Sequence, residues 1–152
     1  MFAGSKSRHF MAALGTVLIA EDNPDDALLL ERALRGAGVR DPVVVVRDGV
    51  EAVDYLVSCW ERGSPESFPA LALLDVGLPR LGGLGVLAWL NEQTAFRRKM
   101  AVVMVAAAGL AKEKEAAWLL GADGYIEKPV RFELLGAVMR LARERLQREQ
   151  GK

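Results

Sequence analysis

Cysteine is all but missing from this chain. The single one, Cys59, excludes an intramolecular disulfide and suits a reducing, cytoplasmic setting. Net charge is missing as well: twenty basic residues balance twenty acidic ones. The whole molecule therefore lacks the field that would draw nucleic acid or an anionic membrane. No apolar run approaches the ~20 residues needed to span a bilayer. There is no internal repeat, no low-complexity tract and no linker leading to a separate output domain. What remains is 152 residues, 51% apolar and 26% charged, enough for one ordinary domain whose core needs no staples.

The N-terminal segment has two readings. Lys6, Arg8 and His9 precede an apolar run from Phe10 to Ala20, like the charged and apolar parts of a secretory signal. Gly15 interrupts that run, however, and it ends directly in Glu21-Asp22-Asn23-Pro24-Asp25-Asp26 without a convincing cleavage site. A flexible tail over 1–14 followed by a buried strand is the preferred expectation, with the domain proper over 15–150. His9 falls in the tail and is assigned no role.

Short apolar runs then alternate with segments of helical period. The runs are Thr16–Ala20, Val43–Val46, Leu71–Leu74, Val102–Val105 and the weaker Tyr125–Ile126. None alternates with polar residues, which predicts parallel strands covered on both faces. Helices are predicted over Pro24–Ala37, Gly49–Trp60, Leu84–Gln93, Lys112–Leu120 and Phe132–Gln147. Asn23-Pro24 supplies a cap and a preset first turn, while Asp25 and Asp26 complement the positive end of that helix. Gly36 and Gly38 can end it. On the last helix Leu134, Leu135, Val138, Leu141, Ala142 and Leu146 form an apolar stripe. Arg131, Arg140, Arg143, Glu144 and Arg148 give it a solvated face. Successive βα units with right-handed crossovers imply a doubly wound α/β sheet.

In such sheets ligands bind beyond the carboxyl ends of the strands, where strand order reverses. The first strand ends at Glu21-Asp22, the third at Asp75, the fourth at Ala106, and the fifth leads to Lys128-Pro129. Glu21, Asp22 and Asp75 should thus converge, and three close carboxylates either bind a divalent cation or take up protons. Oxygen ligands without His or Cys favour Mg²⁺ over zinc. Asp25 and Asp26 are read as helix-end charges only. Asp22 and Asp75 lie directly against apolar strands, where an unpaired charge is costly. Lys128 can neutralise one of them and contact a phosphoryl oxygen.

Three ordered motifs carry a family resemblance. They are Val17-Leu-Ile-Ala-Glu-Asp-Asn-Pro24, Leu73-Leu-Asp-Val-Gly-Leu-Pro79 with Gly82-Gly83, and Gly121-Ala-Asp-Gly-Tyr-Ile-Glu-Lys-Pro129. Over about Thr16 to Leu146 the chain resembles a response-regulator receiver domain of two-component phosphorelays. The resemblance implies a flavodoxin-like five-stranded sheet of order 2-1-3-4-5 with five helices. It implies that Asp75 accepts phosphate from a sensor histidine kinase and that Glu21, Asp22, Asp75 and the Gly77 carbonyl hold Mg²⁺. Lys128 would contact the phosphate, and its bond to Pro129 would be cis. Turnover of small molecules is not implied. A narrower similarity, to single-domain regulators paired with bacterial phytochromes, rests on Glu21–Asp26, Val46–Leu56, the long Ser58–Pro69 loop and Leu78-Pro-Arg80.

One departure bears on mechanism. Receivers place Thr or Ser after the fourth strand, and here Ala106 has no hydroxyl for a phosphoryl group. The Ala107 N–H remains available to phosphate. Tyr125 stands where receivers carry a rotating aromatic; its bland reading is a half-buried ring with its hydroxyl in water. Leu119 and Leu120 are expected in the core, while Trp118 could join the last helix in a homodimer surface. Two further functions stay open. One is an interaction module independent of phosphorylation, favoured by Ala106, with an unknown downstream protein as partner. The other is a small aspartate-nucleophile phosphatase, disfavoured because Gly77 replaces the second acid such enzymes use.

Overall fold

The computed structural model describes residues 15–63 and 68–150. The expected N-terminal tail and part of the Ser58–Pro69 loop lie outside the described residues. In chain order the elements are β1 (Val17–Ala20), α1 (Pro24–Gly36), β2 (Val43–Val46), α2 (Gly49–Arg62) and β3 (Leu71–Asp75). Then come α3 (Gly83–Glu92), α4 (Thr94–Lys99), β4 (Ala101–Ala106), α5 (Ala111–Leu119), β5 (Gly124–Glu127) and α6 (Phe132–Gln150). The strands form one parallel sheet of order β2-β1-β3-β4-β5. This is the flavodoxin-like arrangement implied by the sequence.

Strand side chains alternate between the two faces, and each face has its own core. Leu18, Ala20, Ala72, Leu74, Val102 and Met104 pack with α2, α3 and Ala117 of α5. Val17, Ile19, Leu71, Leu73, Val103 and Val105 pack with Leu30 and Leu34 of α1 and with Leu135 and Met139 of α6. Each large side chain so buried contributes roughly 1.5–3 kcal/mol. The absence of polar alternation in β1, β3 and β4 is thereby explained. The edge strand β2 departs from that expectation, since Val45 is exposed with only one neighbouring strand beside it.

Six helices occur among the described residues, one more than the resemblance implies, and the additional one is α4. Its six residues are too few to show a helical period, and tertiary contacts hold it instead. Phe96 stacks on Trp60 with ring centroids 4.7 Å apart and meets Phe68 and Trp89 edge-on. Arg97 is buried, donates to the carbonyls of Met100 and Gly121, and pairs with Asp123 at 3.1 Å.

Two surface assignments also change. Leu119 is 81% exposed, because Ala117 faces the core and a residue two positions on points the opposite way. Leu120 does pack against the core. On α6 the buried line is Leu135, Met139, Ala142 and Leu146, leaving Leu134 and Leu141 outward. No helix among the described residues is long and apolar enough to cross a membrane.

Candidate functional site

Strand order reverses between β1 and β3, since the connection after β1 leads outward to β2 and the one after β3 leads the opposite way to β4. Glu21 follows β1, and Asp75 is the last residue of β3, hydrogen-bonded in register beside it. The Glu21 amide donates to the Val46 carbonyl, extending the β1 backbone past its last strand residue. Asn23 caps α1 by accepting from the amides of Asp25 and Asp26 at 2.9 and 3.1 Å. That turn swings the chain off the sheet, leaving Asp22 exposed at the rim and Glu21 buried beneath it.

The predicted carboxylates do converge. Oxygens of Glu21, Asp22 and Asp75 all lie within 4.8 Å of one another. Lys128 reaches in from the end of β5, with Nζ 2.8 Å from Glu21 Oε1 and 3.1 Å from Asp75 Oδ2. Its peptide bond to Pro129 is cis. The Lys128 amide donates to the Ala106 carbonyl, fixing where the side chain starts. Asp75 Oδ1 accepts from the Gly77 amide at 2.9 Å, so the loop after β3 orients the carboxylate. Gly83 lies so close that a Cβ there would run into the Asp75 carbonyl oxygen.

Asp26 belongs to this site, contrary to its reading as a helix-end charge. Its Oδ2 accepts from Lys128 Nζ at 2.9 Å, across 102 residues of sequence. Only the α1 capping turn and the β5 end together create that contact. Nothing in the local sequence separates Asp26 from its neighbour Asp25.

Burial raises the Glu21 carboxyl most, and a hydrogen bond shared with Asp75 adds to it. Lys128 and the Asn23 amide oppose the shift, and the group is pushed up to about 7. For Lys128, burial works against the charge, but the close carboxylates of Glu21, Asp26 and Asp75 outweigh it and raise the ammonium above its ordinary range. The Glu21 Oε1 contact with Lys128 is ionic, and that buried oxygen has no aligned hydrogen bond. A buried carboxylate oxygen with bonding capacity to spare, beside two more carboxylates and with no His or Cys in the cluster among the described residues, fits a hard divalent cation.

The switch candidates sit beside the pocket. Ala106 is fully buried as the last residue of β4, and Ala107 is exposed where the next loop begins. Tyr125 is half-buried on β5 with Lys114 Nζ 5.8 Å from its ring centroid. Its hydroxyl is buried without a partner among the described residues, not in water as the bland reading has it. Burial, then Glu127 and Glu113, raises its pKa.

The sequence matches the family model of the response regulator receiver domain over residues 17–140. The chain belongs to that family. The polar-differentiation response regulator DivK of Brucella suis is 30% identical over 115 residues, which are 76% of this chain and 85% of DivK. The structure of the bacteriophytochrome response regulator RtBRR is 34% identical with a TM-score of 0.73, covering 85% of this chain and 78% of that one. The Mn²⁺-bound form of response regulator Rcp1 is 25% identical with a TM-score of 0.68, covering 82% and 91%.

Proposed function

We propose that this receiver accepts a phosphoryl group on Asp75 from a sensor histidine kinase and signals through protein contacts. The observation that carries the reading is the buried Asp75 carboxylate beside Lys128 and a cation-fitting acidic trio. Gly77 N–H holds Oδ1 and so sets the carboxylate plane, with Oδ2 beside Lys128. An Asp75 oxygen forms the new bond to phosphorus as the donor's bond breaks, and the leaving group departs with that electron pair. The product is an acyl phosphate. Lys128 donates to a phosphoryl oxygen and offsets charge on the transferring group. Glu21, Asp22, Asp75 and the Gly77 carbonyl would hold Mg²⁺, which when bound neutralises the same charge. The Ala107 N–H is a further donor to phosphate at the open end of β4. This is a single-turnover loading, so catalysis of small-molecule turnover forms no part of it.

A protein donor suits the rim. Leu29, Pro129 and Val130 line a recess with Asp26 and Lys128, giving apolar contact area next to the reacting carboxylate. The likeness to RtBRR supports a bacterial phytochrome as the sensor kinase and a cytoplasmic setting. Trp118 and Leu119 on α5 and Leu134 and Leu141 on α6 are exposed on either side of the edge strand β5. They support a homodimer through that edge, which sedimentation of the parent against Leu119→Arg would test. Incubation with acetyl phosphate and Mg²⁺ should add one phosphate to the intact mass. Asp75→Asn should show none, and an unlabelled parent beside a labelled control receiver would overturn the reading.

A second reading, an interaction module independent of phosphorylation, is favoured by the fully buried Ala106. It holds if a downstream partner binds equally before and after Asp75 is loaded.

A further inference from the structure

Lys128 faces three carboxylates at once. Its ammonium donates to Asp26 at 2.9 Å and to Asp75 at 3.1 Å, and pairs ionically with Glu21 at 2.8 Å. Two of those partners, Glu21 and Asp75, also belong to the cation-fitting trio, whose third member is Asp22. Lysine and cation therefore compete for the same two carboxylates. Asp26 stands outside the trio. It is also the most open of the three partners, its side chain 35% exposed against 1% for Glu21 and 9% for Asp75.

We propose that Asp26 is a positioning residue that receives Lys128 when a divalent cation takes Glu21 and Asp75, and so lowers the cost of loading the pocket. The inference rests on the phosphoacceptor reading only for its purpose, since it concerns the unphosphorylated protein. Without Asp26, the carboxylate partners left to the lysine among the described residues are the two the cation needs. It then holds them more tightly, and the cation binds more weakly. Asp26 also keeps the ammonium near the pocket mouth after the exchange, where a phosphoryl oxygen can take a freed N–H.

A simple charge effect would act in the same direction, so the test separates the two. Asp25 carries the same charge on the same helical turn, exposed to solvent. Mg²⁺ affinity is measured by titration calorimetry on the full chain, with circular dichroism to confirm folding. Asp26→Asn should weaken Mg²⁺ binding about 5-fold or more, the scale of an ordinary coupling between two groups. Asp25→Asn should weaken it less than about 2-fold, as expected for an exposed, screened charge. In a Lys128→Met background the effect of Asp26→Asn should shrink to that of Asp25→Asn, because the lysine is the agent. Equal effects of Asp25→Asn and Asp26→Asn overturn the proposal. So does an Asp26→Asn effect that persists without Lys128, or a parent that binds no Mg²⁺. Failure of the phosphoacceptor reading is seen separately, as absence of a phosphate adduct on a parent whose Mg²⁺ titrations behave as stated.

Discussion

The Lys128 amide donates to the Ala106 carbonyl at 2.8 Å. The residue that supplies the pocket's positive charge and the residue that lacks a hydroxyl are thus joined by one backbone link at the ends of β4 and β5. In the proposed phosphoacceptor reading, loading and readout meet at this point: Asp75 and Lys128 serve the first, whereas Ala106 offers a phosphate no side-chain contact.

Ala106→Thr should restore that contact. The position is fully buried, so two extra heavy atoms should cost about 1–3 kcal/mol of stability by overpacking. Urea unfolding measures the cost. Amide exchange across Gly124–Glu127, with and without acetyl phosphate and Mg²⁺, measures the gain. Exchange should respond to phosphate in the threonine variant and stay nearly constant in the parent.

Tyr125→Phe tests the other half of the readout. The buried hydroxyl has no partner among the described residues, so it is desolvated without return. Its removal should leave stability unchanged or raise it by up to about 1 kcal/mol. A loss of more than that in chemical unfolding would mean that the hydroxyl is satisfied in solution.

Glu21 predicts a pH dependence of stability. Its carboxyl moves from an ordinary 4.5 to about 7 in the folded protein. Between those values the folded state binds more protons than the unfolded chain, so cation-free stability falls as pH rises from 4.5 through about 7. At 1.36 kcal/mol per pH unit the shift represents on the order of 3 kcal/mol. Lys128, also raised, acts in a different window: its contribution is complete below 10.5 and is lost only above that. Urea unfolding in chelator at about pH 5 and about pH 8 should show the drop, and Glu21→Gln should flatten it. Mg²⁺ affinity should rise over the same interval, since the cation needs the ionised carboxylate.

Asp123→Ala should be the most damaging change far from the pocket. Asp123 accepts from buried Arg97 and from the Val102 amide, and its other oxygen meets Arg145 at 3.1 Å. Its removal strands a buried guanidinium, which costs about 3–5 kcal/mol. Denaturant midpoints should fall accordingly, while acetyl phosphate should still label whatever remains folded at low temperature.

The sequence by itself determined the strand–helix alternation, the parallel strands and the convergence of Glu21, Asp22, Asp75 and Lys128, while the strand order came from the family resemblance. The alternation and the strand-end charges are written in local chemistry. Uninterrupted apolar runs demand burial on two faces, Asn23-Pro24 starts a helix, and charges set directly after such runs must lie at strand ends. Tertiary structure alone decided the rest. Helix α4 exists because Phe96 and Arg97 find partners on other elements, and six residues cannot show a period. Leu119 faces outward because Ala117 takes the core side, and Val45 because β2 is the edge. Tyr125 turns its hydroxyl inward, where no hydrogen-bond partner meets it among the described residues. Asp26 joins the pocket through Lys128, a contact of 2.9 Å across 102 residues. A carboxylate's role depends on what stands opposite it, and only folding brings that partner across.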